Sequence, residues 1–188
     1  MNLSIQLIDN DNPTNSASYP FPIDVEALQE AVRYTAIGPG TMTEPIAIDD
    51  FITSVKNKLP QIGFNTTVKA SFELLEGDEG SNATPMVCCK VQNIGRTNPD
   101  FKNWEKVFDC DGQYVRNAPD GTLYVTPQEI SGFQSYCEIR TLKQSADSPK
   151  SVYILYSVLF KLIIDDAEGN HMTCYCEFDP LAKISSNV

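Results

Sequence analysis

Six cysteines and one histidine carry most of the reactive chemistry this chain could offer. Cys88 and Cys89 are adjacent, Cys174 and Cys176 are separated by one residue, and Cys110 and Cys137 stand apart. Zinc is held by ligands at spacings such as Cys-x2-Cys, which let two thiolates converge on one ion. Neither close pair has that spacing, so no metal is expected unless distant strands assemble a site. Vicinal cysteines on a strand point to opposite faces, and a Cys-x-Cys pair projects side by side, so neither pair is placed for an easy bridge. The opening MNLSIQLIDNDN has no basic flank followed by a long apolar run. The expectation is a reducing compartment and buried free thiols that pack as small hydrophobes.

His171 precedes Cys174 by three residues, a pairing that invites a thiol nucleophile and its base. Strand alternation places His171 on the face of Thr173 and away from Cys174, so no dyad is expected. Carboxylates cluster at Asp9-Asn10-Asp11, Glu76 to Glu79, Asp109 to Asp111, and Asp165, Asp166 and Glu168. The segment DDAEGN lacks the D-x-[DN]-x-[DN]-G spacing of a calcium loop, and these clusters read as solvated turns. No phosphate loop, dinucleotide fingerprint, nucleophile elbow or zinc-protease helix occurs. Trp104 with Phe101, Tyr114 and Tyr124 can be read as a platform for sugar rings or as core packing, and packing is the stronger reading.

The elements that would position such groups follow from composition and periodicity. In 188 residues, 41% hydrophobic and 21% charged, there is enough apolar material for one substantial core. Fourteen basic against twenty-five acidic residues give a net charge of -11, which repels phosphate and argues against nucleic-acid binding. No apolar run reaches the eighteen or more residues of a membrane span.

The strongest periodic signal runs from Ser151 to Asp179 and predicts one long β-hairpin. Its even positions, Val152 to Ile164 and Met172 to Phe178, form a continuous apolar face. The odd face carries Ser157 and Lys161 but also Leu155, Leu159 and Ile163, a mixture that calls for cover by a neighbouring subunit. Val152 to Asp165 as one strand would span roughly 45 Å.

Upstream, Leu3, Ile5 and Leu7 predict an opening strand, and Asp9 to Pro22 an extended loop or arm whose Tyr19 and Phe21 anchor in an adjacent chain. Asp24 caps a first helix with Leu28, Ala31, Val32 and Thr35 on one stripe, stopped at Gly38-Pro39-Gly40. Ile48, Phe51, Ile52, Val55 and Leu59 predict a second, ended by Pro60. Val68 to Leu74 and Met86 to Val91 read as a hairpin, and Asp111-Gly112 as a tight turn joining Val107 to Cys110 with Gln113 to Arg116. Pro119-Asp120-Gly121 reads as a turn, Thr126 as a helix start, Cys137 to Thr141 as a strand, and the segment LAKISSNV shows no pattern.

The expected fold is therefore α+β, a mainly antiparallel sheet with a long C-terminal β-hairpin and two N-terminal helices packed on it. Residues 1–188 form a single domain, with 9–22 as an extended N-terminal arm. The expected function is a non-catalytic structural subunit of a large homo-oligomeric assembly, a phage virion neck or tail component at the head-tail connector. Its interface residues are Leu155, Leu159, Ile163, Tyr19 and Phe21. Its partners are copies of itself and other assembly proteins, without specific nucleic-acid binding, membrane, cofactor or small-molecule substrate. It is made in the host cytoplasm and resides in the virion. The alternative is a carbohydrate- or protein-binding β-module.

Overall fold

The computed structural model describes residues 1–34, 40–53, 58–73, 83–94, 103–131, 134–165 and 168–185. Period-two sequence dominates these residues, and they fold into two β-sheets. The first sheet has five strands in the order β2 (Ser16–Pro22), β1 (Asn2–Asp9), β5 (Thr66–Glu73), β10 (Gln134–Arg140) and β9 (Gln128–Ser131). The second runs β3 (Ile46–Ala47), β12 (His171–Phe178), β11 (Ser151–Asp165), β6 (Ala83–Asn93), β8 (Leu123–Val125) and β7 (Val115–Asn117). Two more strands complete its eight: β13 (Leu181–Ser185) beside β11, and β4 (Lys58–Ile62) beside β13.

The sheets meet face to face. Phe21 of β2 packs on Phe178 of β12 with ring centroids 4.9 Å apart, and Phe72 of β5 on Phe160 of β11 at 4.7 Å. Leu3, Ile5, Val68, Ala70 and Ile139 from one sheet share a single buried cluster with Val152, Ile154, Val158 and Phe178 from the other. Burial of this shared apolar surface, at roughly 25 cal/mol per Å², is the main force holding the sandwich together.

β11 is the spine of the larger sheet. Every even residue from Val152 to Ile164 is buried, as the alternation requires. Its return strand is longer than the sequence suggested. β12 pairs from Asp165↔His171 to Val158↔Phe178, and β13 continues in the same register from Leu155↔Leu181 to Ser151↔Ser185. Between them the Tyr156 N–H donates to the Pro180 carbonyl at 3.0 Å, so the ladder survives a residue that cannot donate. The segment LAKIS, expected to be without pattern, is thus β13, its Ala182 and Ile184 buried opposite Ile154 and Val152 of β11.

The expected pair of N-terminal helices is corrected: among the described residues there is a single α-helix, α1 (Val25–Tyr34). Asp24 caps it as predicted, its carboxylate accepting from the Ala27 N–H at 3.0 Å, and Leu28 is its buried residue. Residues 35–39, including the predicted Gly38-Pro39 stop, lie outside the described residues. The second predicted helix is replaced by β3, a single 3-10 turn over Asp49–Phe51 and β4. Its Ile48 and Ile52 are buried as expected, but from either end of that turn rather than from a helix: the Ile48 N–H donates to the Glu177 carbonyl, and Ile52, in extended backbone, bridges Ile23. β-branched Ile48, Ile52 and Thr53 disfavour helix, and an open sheet edge offers their backbone other partners. Val55 and Lys56 lie outside the described residues.

Two predicted hairpins are also corrected. β5 and β6 belong to different sheets, β5 between β1 and β10 and β6 between β11 and β8, with residues 74–82 outside the described residues. Val107 to Cys110 does not pair with Gln113 to Arg116. Phe108 instead bridges Thr141, while β7 pairs with β8 around the predicted Pro119-Asp120-Gly121 turn, where Gly121 has φ +85°. Gln128 to Ser131, expected near a helix start, is the edge strand β9. The Asp9 to Pro22 segment folds back on its own chain as β2, paired with β1 from Ile8↔Ser16 to Asn2↔Pro22.

Candidate functional site

The residues expected to form an interface fall into two groups. Phe21 is 3% exposed against Phe178, and Leu159 is 2% exposed, so both are covered by their own chain. Leu155, Ile163 and Tyr19 are half-buried. Leu159 lies between Cys88 of β6 and Glu177 of β12 on the outward face of β11. Lys90, opposite Ser157, reaches over β11 to Glu177, opposite Leu159, with Nζ to Oε1 2.5 Å. That pair roofs the middle of the strand. Burial alone would push the Lys90 ammonium down, but the hydrogen bond and charge of Glu177 outweigh it and hold the group above its usual range.

Beyond this roof the outer face opens. Leu155 is paired with Leu181, which is 45% exposed, and next to them Tyr153 is 39% exposed with the Lys183 ammonium over its ring at 5.6 Å. Tyr153, Leu155 and Leu181 thus form an apolar patch at the start of the long hairpin. Lys183 lies beside it, and two further cations lie farther off on the same face. Lys161 and Lys183 point the same way along the ribbon, and Arg116 lies over Tyr124 on the same face. This patch is the continuation of the odd-numbered face read from the sequence, but Tyr153 and Leu181 were missed. Leu181 sits in a segment too short to display a period.

A second feature lies between the sheets at their open edge. In β2 the residues on the core side are Ala17, Tyr19 and Phe21, opposite Leu7, Ile5 and Leu3. Phe21 meets Phe178, and farther out a cleft of about 430 Å³ opens beside Tyr19 and Ala17, against Gln61 and Phe64. A neighbouring hollow of about 260 Å³ shares Asp11, Gly63, Phe64 and Asn65 with it and extends toward Lys143. Asn65 forms the corner between the two. It adopts φ +59°, a conformation asparagine tolerates better than most residues, and its N–H donates to Leu142 while its carbonyl accepts from Asn10. On the rim Asp11 pairs with Lys143 at 2.9 Å; that hydrogen bond and charge, with the Asn65 amide, hold the Asp11 carboxyl below its ordinary value. The Asp9 carboxylate accepts from the Asp11 N–H at 2.9 Å.

The reactive side chains are otherwise committed. All six cysteines are free thiols, with only Cys110 partly exposed. Burial pushes Cys88 up to about 11 and Cys176 to about 12, and burial with the nearby Glu105, Asp109 and Asp111 charges pushes Cys110 to about 11. Cys89 and Tyr156, packed with Cys137 at the centre of the sandwich, are raised further by burial. Such thiols carry little thiolate near neutrality and are poor nucleophiles. His171 is not brought to Cys174: its Nδ1 lies 2.6 Å from Asp165, while Cys174 faces the core. Arg33 donates to the Asp165 carbonyl at 2.6 Å, tying α1 to the same end of β11. The Asp49 carboxyl is raised by burial and by the Asp179 charge. Trp104 is buried, donating to the Gly121 carbonyl at 2.6 Å and packing on Phe108, so it offers no platform to a sugar; Phe101 lies outside the described residues. Among the described residues no three His, Cys, Asp or Glu side chains group as metal ligands, and no helix is long and apolar enough to cross a membrane.

Comparison with known proteins finds no family model, no curated protein and no solved structure that matches the chain.

Proposed function

We propose that this chain is a non-catalytic structural subunit that assembles with copies of itself through the outer face of its long hairpin. The observation that carries this reading is the apolar patch of Tyr153, Leu155 and Leu181 at the start of the long hairpin, where a soluble monomer gains nothing by exposing it. Charge complementarity argues for a second copy as its occupant. Lys183 adjoins the patch and Lys161 and Arg116 lie farther out on this face, whose carboxylates Asp165 and Glu177 are paired with Arg33 and Lys90, whereas the chain as a whole carries twenty-five acidic and fourteen basic residues. Most surfaces of two copies repel, and the cation-bordered face is suited to an acidic face of the next copy. A contact between two different faces is heterologous and generates a ring or an open tube.

The assembly we propose is a phage virion neck or tail, where the wall of a ring or tube with this net charge would let DNA pass without adhering. That placement rests on analogy between architectures.

The test is the mass of the purified chain by light scattering, with circular dichroism as the check on folding. The wild type is expected to form a discrete multiple of 20.9 kDa. Leu155→Asp and Leu181→Asp are expected to fold and remain monomeric. A wild type that stays monomeric at about 100 µM would overturn the reading, since any contact tighter than about -5.5 kcal/mol would populate there. So would variants that assemble like the wild type.

A further inference from the structure

We infer that the edge cleft beside Tyr19 is a binding site for a neutral oligosaccharide. Its walls and rim differ in the way such a ligand requires. Leu7, Ala17, Tyr19 and Phe64 give an apolar side with two aromatic rings, suited to the apolar face of a pyranose. Asp9 and Asp11 bring carboxylate acceptors and Asn15 an exposed amide, which can meet vicinal hydroxyls, while the Gln61 amide in the wall donates to Ser185. The volume, about 430 Å³, falls within the roughly 300–1,000 Å³ of small-molecule sites. Continuity with the second hollow around Asn65 makes the site longer than one ring and favours a chain of sugars over a single one.

Charge selects a neutral ligand. An anion would face Asp9 and Asp11 on a chain of net charge -11. A cation would have to displace Lys143 from Asp11, and among the described residues no three His, Cys, Asp or Glu side chains group to hold a metal ion. What remains is hydrogen-bonding capacity beside aromatic surface. The fold fixes its walls: β2 extends past the rings of Phe21 and Phe178, and Asn65 is pinned by hydrogen bonds to both Asn10 and Leu142.

The test titrates the full chain with maltohexaose, cellohexaose, xylohexaose and chitohexaose, followed by amide chemical shifts. At least one is expected to shift Ala17, Tyr19, Phe64 and Asn65 saturably, with a Kd of about 1 mM or tighter. Tyr19→Ala should weaken that binding about tenfold and Tyr19→Phe much less, as stacking on the ring predicts. Asn15→Ala, at an exposed side chain, should also weaken it and keeps the test decisive if Tyr19→Ala misfolds. Leu155→Asp, on the outer face of the other sheet, should bind like the wild type, so assembly and sugar binding fail separately. No shift with any of the four at about 10 mM would overturn the inference, being tenfold above the expected Kd. So would shifts confined to other residues, binding indifferent to Tyr19 and Asn15, or the same amides responding to calcium chloride alone.

Discussion

Lys90 and Glu177 meet at 2.5 Å although their strands, β6 and β12, are separated in the sheet by β11. The side chains are 21% and 17% exposed, and between them they cover Leu159. An ion pair so placed is sensitive to the loss of one partner, because the survivor remains half-buried without compensation. Lys90→Met or Glu177→Leu alone should each cost about 1–3 kcal/mol. The double variant should recover most of the loss, since two apolar side chains can replace the roof. Urea midpoints of the four proteins measure this, and a double variant as unstable as the sum of the singles would show that the two residues act separately.

Leu155 and Leu159 are both odd-numbered residues of β11, and they should respond oppositely to the same change. Leu159→Asp places a carboxylate under the Lys90–Glu177 pair beside Cys88 and should cost about 3–5 kcal/mol, or prevent folding. Leu155→Asp, at a half-buried position, should stay within about 1 kcal/mol of the wild type. Equal stabilities in thermal melts would mean that the roof is open in solution.

The thiols should make the fold sensitive to alkali. Burial holds Cys88 protonated up to about 11 and Cys176 up to about 12, whereas both would ionise near 9.0 when the chain unfolds. The folded state therefore binds more protons in that interval, so this contribution is complete below about pH 9 and is lost as pH rises toward 12. The urea midpoint should fall between about pH 8 and pH 10.5 and fall less in Cys176→Ala. A midpoint independent of pH across this range would contradict the burial of these groups.

Native thiol labelling should also be selective. Cys110 is the one partly exposed thiol and should react first with an aromatic disulfide reagent, with the remaining five following only on unfolding. Rapid reaction of Cys174 or Cys176 would place the β12 face in solvent.

Gly40 marks a position that favours glycine. Its φ is +52°, a Cβ there would lie 2.9 Å from Ile46 Cδ1 and 3.1 Å from the Tyr175 carbonyl, and its own carbonyl accepts from the Tyr175 N–H at 2.8 Å. Gly40→Ala should cost about 1–3 kcal/mol through left-handed strain and crowding against β12. Gly121→Ala, equally left-handed but in open space, should cost less; the reverse order in melting temperature would be inconsistent with the β3–β12 contact.

Local patterns determined much of this protein. Alternation in Ser151 to Asp179 specified which side of the hairpin is core, and every even residue of β11 is buried accordingly. Asp24 followed by a spaced apolar stripe specified α1, because a cap and a period are properties of neighbouring residues. The net charge of -11 was likewise plain from the start. The tertiary structure decided what depends on distant partners. The isoleucines at 48 and 52 satisfy a helical spacing, but Glu177 and Ile23 supply backbone partners outside any helix. Period two identified β5 and β6 as strands without telling that they belong to opposite sheets, since alternation gives a strand two faces and no neighbour. Tyr19 and Phe21 share one face of β2, and only the reach of the opposing sheet makes one of them core and leaves the other beside a cleft. Leu159 and Leu155 likewise differ because Lys90, on a strand 65 or more residues earlier in the chain, comes to lie over one and not the other.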